Sequence, residues 1–136
     1  LSEARLGLLP ATIAPYVIRA LGEQAARRWF VTAERFSARQ AQAMGFVHEV
    51  VAADALDALD AKVAEIVAAL VANGPAAVRA CKQLVKDMAG RPIDEALRAE
   101  TARRIADIRA SAEGREGVQS FLNKRAPSWQ AQDKPQ

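Results

Sequence analysis

Asp54-Ala-Leu-Asp-Ala-Leu-Asp-Ala-Lys-Val-Ala-Glu-Ile-Val-Ala-Ala-Leu70 sets Leu56, Leu59, Val63, Ile66, Val67 and Leu70 three and four residues apart. That spacing puts all six on one face of a helix, with Asp54 placed to cap its first turn. The pattern continues downstream. Asn73-Gly74 ends the helix, and Pro75 opens another that carries Val78, Cys81, Leu84, Val85 and Met88 on one side. Gly90-Arg-Pro92 breaks the chain again, and Ile93, Leu97, Thr101, Ile105 and Ile108 mark a third long helix. A joint near Ser111-Ala-Glu-Gly114 precedes a final helix facing inward with Val118, Phe121 and Leu122. From Pro127 an extended tail is predicted, with Trp129 as its large anchor.

Upstream of that stretch the helices are shorter. Pro15 suits the first turn of a helix reaching about Leu21, and Gly22 is expected to end it in a left-handed conformation. A second helix is predicted from Glu23 to about Phe30. Ser37-Ala-Arg-Gln40 has the spacing of a capping box and starts a brief third helix that stops at Gly45. Phe46-Val-His-Glu-Val-Val51 then reads as the one strand. A lone strand leaves its backbone groups unpaired, so it must be joined by strands from elsewhere or be hardly a strand at all.

The whole is 136 residues long, 51% hydrophobic and 26% charged, which is one modest domain and neither a low-complexity nor a disordered chain. With one Cys and one His there is no internal disulfide and no thiolate zinc site. Nineteen basic residues against sixteen acidic leave +3, and the pairs Arg27-Arg28 and Arg103-Arg104 have acidic neighbours, so a nucleic-acid partner is not expected. No run approaches the roughly 20 apolar residues of a membrane span and no signal peptide is visible, which points to the cytoplasm. The chain opens at Leu1-Ser-Glu without an initiator Met, the expected mark of a fragment or cleavage product.

Few residues offer chemistry. His48 is expected at a solvent-facing strand edge, and Cys81 in buried packing on its helix's apolar face. No GxGxxG or P-loop pattern is present. Glu3 stands before Gly7-Leu-Leu-Pro10. A carboxylate partly desolvated against such a surface suits proton transfer. The alternative, an exposed Glu near a frayed end, stays open on the residues alone.

Four segments, in order, resemble one family. Glu3 followed by Leu6-Gly-Leu-Leu-Pro10 is similar to the Glu/Leu-Gly-x-x-Pro pattern of the enoyl-CoA hydratase/isomerase (crotonase) superfamily. Thr32-Ala-Glu-Arg-Phe-Ser-Ala-Arg-Gln-Ala41 resembles its Thr-Gly-x-x-hydrophobic-x-Ala-x-x-Ala signature, and Gly45-Phe-Val-His-Glu-Val-Val51 its Gly-Leu-Val-x-x-Val-Val step. Glu116-Gly-Val-Gln-Ser-Phe-Leu-Asn-Lys-Arg-Ala-Pro127 is similar to its closing Glu-Gly-x-x-x-Phe-x-x-Lys-Arg-x-Pro.

The resemblance is to the family's C-terminal half. It implies a mainly α fold, the C-terminal helical part of a crotonase-type (ClpP/crotonase) α/β fold, with one short strand whose partners lie upstream. By the same resemblance, residues 1–51 end the core and carry the active-site segment, 52–130 form a helical assembly and CoA-covering region, and 131–136 are a tail. The reaction it implies is hydration of an α,β-unsaturated acyl-CoA by a lyase of fatty-acid or branched-chain catabolism, with no cofactor beyond the coenzyme A of the substrate. Glu3 matches a catalytic glutamate that moves the proton at the α-carbon. Lys124 matches a lysine near the nucleotide end of CoA; its ordinary alternative is a helix C-terminal Lys meeting the dipole. Tyr16 either lines the acyl pocket or packs its helix. Ala11-Thr-Ile-Ala-Pro15-Tyr16 departs from the Gly-x-Gly-Gly-Thr of straight-chain hydratases and resembles the branch acting on 3-methylglutaconyl-CoA or isohexenylglutaconyl-CoA. The implied partners are the acyl-CoA, an upstream half of the same protein and further copies in a homotrimer or dimer of trimers; the isolated chain is expected to be inactive. Isomerase or other thioester-enolate chemistry, and a non-catalytic helical oligomerisation module, are the alternatives.

Overall fold

The computed structural model describes residues 1–52 and 56–133, with backbone alone for residue 56 and for residues 131–133. The predicted Asp54 cap and positions 134–136 of the predicted tail lie outside the described residues. A 3₁₀ turn at Glu3–Leu6 is followed by α1 (Ala14–Leu21), α2 (Glu23–Thr32), α3 (Ala38–Ala43), α4 (Leu56–Val71), α5 (Pro75–Met88), α6 (Glu95–Ala110) and α7 (Ala112–Leu122), then by a second 3₁₀ turn at Ser128–Asp133. The chain forms two units, Leu1–Ala58 and Leu59–Gln136.

In the first unit, Pro15 sits in the opening turn of α1, where its missing N–H costs no hydrogen bond. Gly22 joins α1 to α2 at φ 80 and ψ 159. This is not the left-handed helical turn expected there but an extended positive-φ geometry that glycine alone adopts readily. The apolar interior is small: Leu21, Ala26, Trp29, Ala33 and Ala41 are buried. Trp29 is its centre. Its indole N–H donates to Met44 Sδ, and its ring meets Phe36 at 5.2 Å between centroids, tilted by 57°. The Arg28 guanidinium lies 4.6 Å over its face, and Arg28 also pairs with Glu34 at 2.5 Å. Burial of so large a ring contributes about 2–3 kcal/mol through apolar area alone.

The capping box forms as expected. Ser37 Oγ accepts from the Gln40 N–H at 3.2 Å, and Gln40 Oε1 accepts from the Ser37 N–H at 2.8 Å. The strand does not. There is no β-strand among the described residues, so the strand expected at Phe46–Val51, and the pairing expected of it, are corrected. Gly45, at φ 74, turns the chain back on α3. Its N–H returns to the Gln42 carbonyl and that of Phe46 to Ala41, both at 2.9 Å, while Gln42 Nε2 donates to the His48 carbonyl at 3.1 Å. Local hydrogen bonds thus take groups that a ladder would have used, and the preference of Phe and Val for strands is too weak to decide otherwise.

In the second unit the helix starts are fixed by side chains. Asp94 Oδ1 accepts from the Leu97 N–H at 2.8 Å above α6. Ser111 serves both sides of the α6–α7 joint, accepting from the Gly114 N–H at 3.0 Å and donating to the Ile108 carbonyl at 2.7 Å. The first turn of α5 is capped from a distance: Ala76 and Ala77 donate to the two Glu113 oxygens at 2.9 and 2.8 Å. Gly74 leaves room for that approach, because a Cβ there would stand 2.5 Å from Glu113 Oε1 and the carboxylate would have to shift. Arg104 bridges Asp87 on α5 (2.7 Å) and Glu100 on α6 (2.5 Å), and Glu100 also takes Arg91 (2.8 Å).

Two further expectations are corrected here. Cys81 is exposed, not buried, because α5 and α6 leave an open groove between them that Cys81 lines with Leu84 and Ile105. After Pro127 the chain is not extended but coils into the second 3₁₀ turn, where Trp129 Nε1 (3.3 Å) and Gln130 Nε2 (2.6 Å) donate to the Ala72 carbonyl. Trp129 is still the anchor, its ring seated where Gly117 leaves room. The apolar face of α4 is about half exposed, from Ile66 at 44% to Val63 at 50%. Among the described residues no single helix is long and apolar enough to cross a membrane; residues 57–71 and 75–88 meet that length and composition together, bent by 104°.

Candidate active site

Glu3 opens the first 3₁₀ turn, and the turn's closure sets where it stands. Gly7 takes the left-handed conformation (φ 72, ψ 18), its N–H returns to the Ala4 carbonyl at 3.2 Å, and the Leu8 N–H returns to the Glu3 carbonyl at 3.0 Å. These two bonds form a Schellman closure, with glycine at the position that must bend left. The turn leaves Leu6, Leu8 and Leu9 exposed at 63–75%. The Glu3 side chain is half-buried, and its Oε2 is shielded from solvent with no hydrogen-bond partner among the described residues. A shielded carboxylate oxygen without a donor is rare, since losing water unrequited is costly. It leaves an acceptor that no described donor occupies. A cleft of about 380 Å³ lies along the same segment, lined by Leu1, Ser2 and Arg5 and by Ala33 to Phe36.

Tyr16, also in the first unit, is 75% exposed on α1. His48 is exposed in the loop after α3. Lys124 belongs to the second unit and is exposed at the end of α7, in the left-handed conformation (φ 50). The bonds around it repeat those around Gly7: Lys124 N–H to the Phe121 carbonyl at 3.1 Å, Arg125 N–H to the Ser120 carbonyl at 3.0 Å.

Glu116 and Arg125 stand in the sequence as motif positions with no role of their own. The structure joins them. Arg125 donates from both terminal nitrogens to both Glu116 oxygens, at 2.6 and 2.8 Å, and the Ser128 N–H adds a third bond at 2.9 Å. Hydrogen bonding to Arg125, then the Ser128 N–H, holds the Glu116 carboxyl down to about 2. Arg125 hydrogen bonding is the larger cause, as expected for a charge-assisted bidentate pair. Their nine-residue separation crosses a helix end, so no helical periodicity links them. Among the described residues no three His, Cys, Asp or Glu side chains gather to hold a metal ion.

Comparison with known proteins fits this geometry to a family. The family model described as enoyl-CoA hydratase/isomerase matches residues 1–132. The chain therefore belongs to the enoyl-CoA hydratase/isomerase family. A crystal structure of an enoyl-CoA hydratase from Shewanella pealeana is 43% identical with a TM-score of 0.81, over 95% of this chain and 47% of that one. Pseudomonas aeruginosa AtuE is 40% identical with a TM-score of 0.83, over 95% of this chain and 49% of that one. The mevalonyl-coenzyme A hydratase sidH of Aspergillus fumigatus is 33% identical over 118 residues, 85% of this chain and 42% of that protein. The chain thus spans about half the length of the relatives it matches. The family match takes in nearly the whole chain, residues 1–132, so the family assignment rests on this chain itself and calls on no upstream half as a partner, which corrects the reading of the resemblance as a C-terminal half alone. What is found is a mainly α-helical crotonase-type fold over nearly the whole chain, with no strand among the described residues.

Proposed function

We propose that this chain serves enoyl-CoA hydratase/isomerase chemistry, with Glu3 as its acid/base group. The observation that carries the reading is the shielded, unpartnered Glu3 Oε2 inside the family's Glu/Leu-Gly-x-x-Pro segment. In hydration, water oxygen bonds to the β-carbon of the unsaturated thioester and water gives up one proton. The double bond's π pair passes to the α-carbon, which receives a proton; the proton lost by water makes good the one delivered there. Glu3 delivers that proton, or removes it in the reverse direction. An oxygen that no protein donor occupies is free to do either. Negative charge gathers meanwhile on the thioester oxygen, whose stabilisation by N–H donors is the large electrostatic part of such catalysis. Exposed Tyr16 is assigned to the acyl chain, and the Lys124 ammonium to the anionic nucleotide end of CoA. A cytoplasmic location is part of the proposal.

The test follows an unsaturated acyl-CoA, with and without the Glu3→Gln change, by mass spectrometry of the product. A product one water heavier is hydration, and one of unchanged mass with a moved double bond is isomerisation. Glu3→Gln is expected to slow turnover by about 10²–10⁴-fold. Undiminished turnover in that variant removes Glu3 from the mechanism.

A further inference from the structure

Lys124 occupies the one backbone position of its turn that glycine fills best. Among the described residues three turns are closed by the same two hydrogen bonds, and the residue bending left is Gly7 in the first, Gly45 in the second and Lys124 in the third; the other left-handed residue that is not glycine, Ala33 (φ 51), carries only a methyl group. A side chain in the left-handed conformation is strained by contact with its own backbone. Such an outlier points to a demand on the side chain that glycine cannot meet.

The groups around it show how the turn is held. Arg125, the next residue, has its guanidinium committed to Glu116 by two hydrogen bonds, and the Ser128 N–H is fixed to the same carboxylate. The chain on the far side of Lys124 is therefore tied to α7 at two points. The Lys124 ammonium, by contrast, has no carboxylate partner among the described residues. The turn thus presents one unpaired cation on a clamped backbone, beside a carboxylate whose charge its own arginine answers.

We propose that Glu116 is a positioning residue: by clamping Arg125 and Ser128 it holds the strained turn that presents Lys124 to an anionic group of coenzyme A. The inference rests on the reading of Lys124 as a CoA contact and adds to it how the contact is kept in place. It makes an unusual electrostatic demand. Removing a negative charge close to an anion site strengthens binding by Coulomb attraction alone, and freeing Arg125 adds a second cation. A clamp acts in the opposite direction, because a loosened turn must be ordered again when the anion binds.

Titration calorimetry with coenzyme A on the full chain separates these. Lys124→Ala is expected to weaken binding about tenfold, and Glu116→Gln about fivefold in spite of its more favourable charge. The double variant is expected to bind no more weakly than Lys124→Ala, since the clamp acts through that lysine. The exchanged pair E116R/R125E restores the two-hydrogen-bond pairing but leaves the Ser128 N–H without its carboxylate, so it is expected to recover only part of the loss. Arg125→Lys keeps the charge and loses the bidentate geometry, so it carries the test if Glu116→Gln fails to fold by circular dichroism. Unchanged or tighter binding in Glu116→Gln or Arg125→Lys, with Lys124→Ala weakened, overturns the positioning role and leaves the lysine contact standing. No effect of Lys124→Ala, or no binding of coenzyme A by the unaltered chain, overturns the contact and the clamp together.

Discussion

The turns at Gly7 and at Lys124 close with the same pair of hydrogen bonds and differ in what occupies the bend. At Gly7 nothing stands within 4 Å of where a Cβ would go, so glycine there answers a backbone requirement alone. It lets the chain reverse at once and leaves Glu3 on a short, closed turn. At Lys124 the same backbone is reached with a full side chain and is backed by the Glu116–Arg125 pair and the Ser128 N–H. The hydrogen bonds decide the shape of the bend. The residue is decided by whether the turn serves a neighbour, as Gly7 serves Glu3, or is itself the presenting group.

That contrast is open to attack from several sides. The largest effect is expected at the first turn's chemistry, where Glu3→Gln is to cost catalysis its two to four orders of magnitude without moving the denaturation midpoint. Next, Gly7→Ala is expected to destabilise by about 1–2 kcal/mol through backbone strain, because open space rules out a clash as the cause. Urea titration measures it, and an unshifted midpoint dismisses the strain account. Lys124→Gly runs the comparison backwards. It is expected to raise stability by about 0.5–1 kcal/mol, relief of the left-handed strain being partly offset by the freer unfolded chain. A drop in stability shows instead that the lysine contributes packing.

The smallest effect concerns the clamp's dependence on pH. Glu116 titrates at about 2 when folded, below its ordinary 4.5, so the folded state favours its charged form. Its contribution is full above about 4.5, shrinks as pH falls from there, and is gone below about 2. Asp87 and Glu100 are likewise held low, by Arg104 and Arg91 first, but they do so with or without Glu116 and cancel in a comparison. The melting-temperature gap between the unaltered chain and Glu116→Gln is therefore expected to narrow between pH 4.5 and 2, modestly because Arg125 is 44% exposed. A gap that is constant with pH contradicts an ionic clamp.

Much of this fold is legible one residue at a time. Ser37 and Gln40 announce their cap, Pro15 and Pro75 their helix starts, and the three-and-four spacing its helices, since each signal acts within a few residues. Other features resist for stated reasons. Phe46-Val-His-Glu-Val-Val51 looks like a strand, but a strand exists only with a partner, and no strand lies beside it among the described residues. Cys81 sits on an apolar stripe, yet burial needs a neighbour close enough to cover it, and the α5–α6 groove stays open. The turn at residue 124 is invisible to a search for glycine.

The candidate site divides the same way. Glu3 and Lys124 were readable as positions in motifs, because a resemblance compares residue types in order. The unpartnered Glu3 Oε2, the strained backbone of Lys124 and the Glu116 clamp depend on which atoms meet, and the clamp's nine- and twelve-residue separations follow no helical spacing. The order of amino acids specified a run of helices and several of their caps through local spacing, and the family through motifs that match in order. Which carboxylate is left without a donor, and which lysine is held against its own conformational preference, was settled only when the chain packed, because solvent shielding and strain are properties of surroundings and not of a residue.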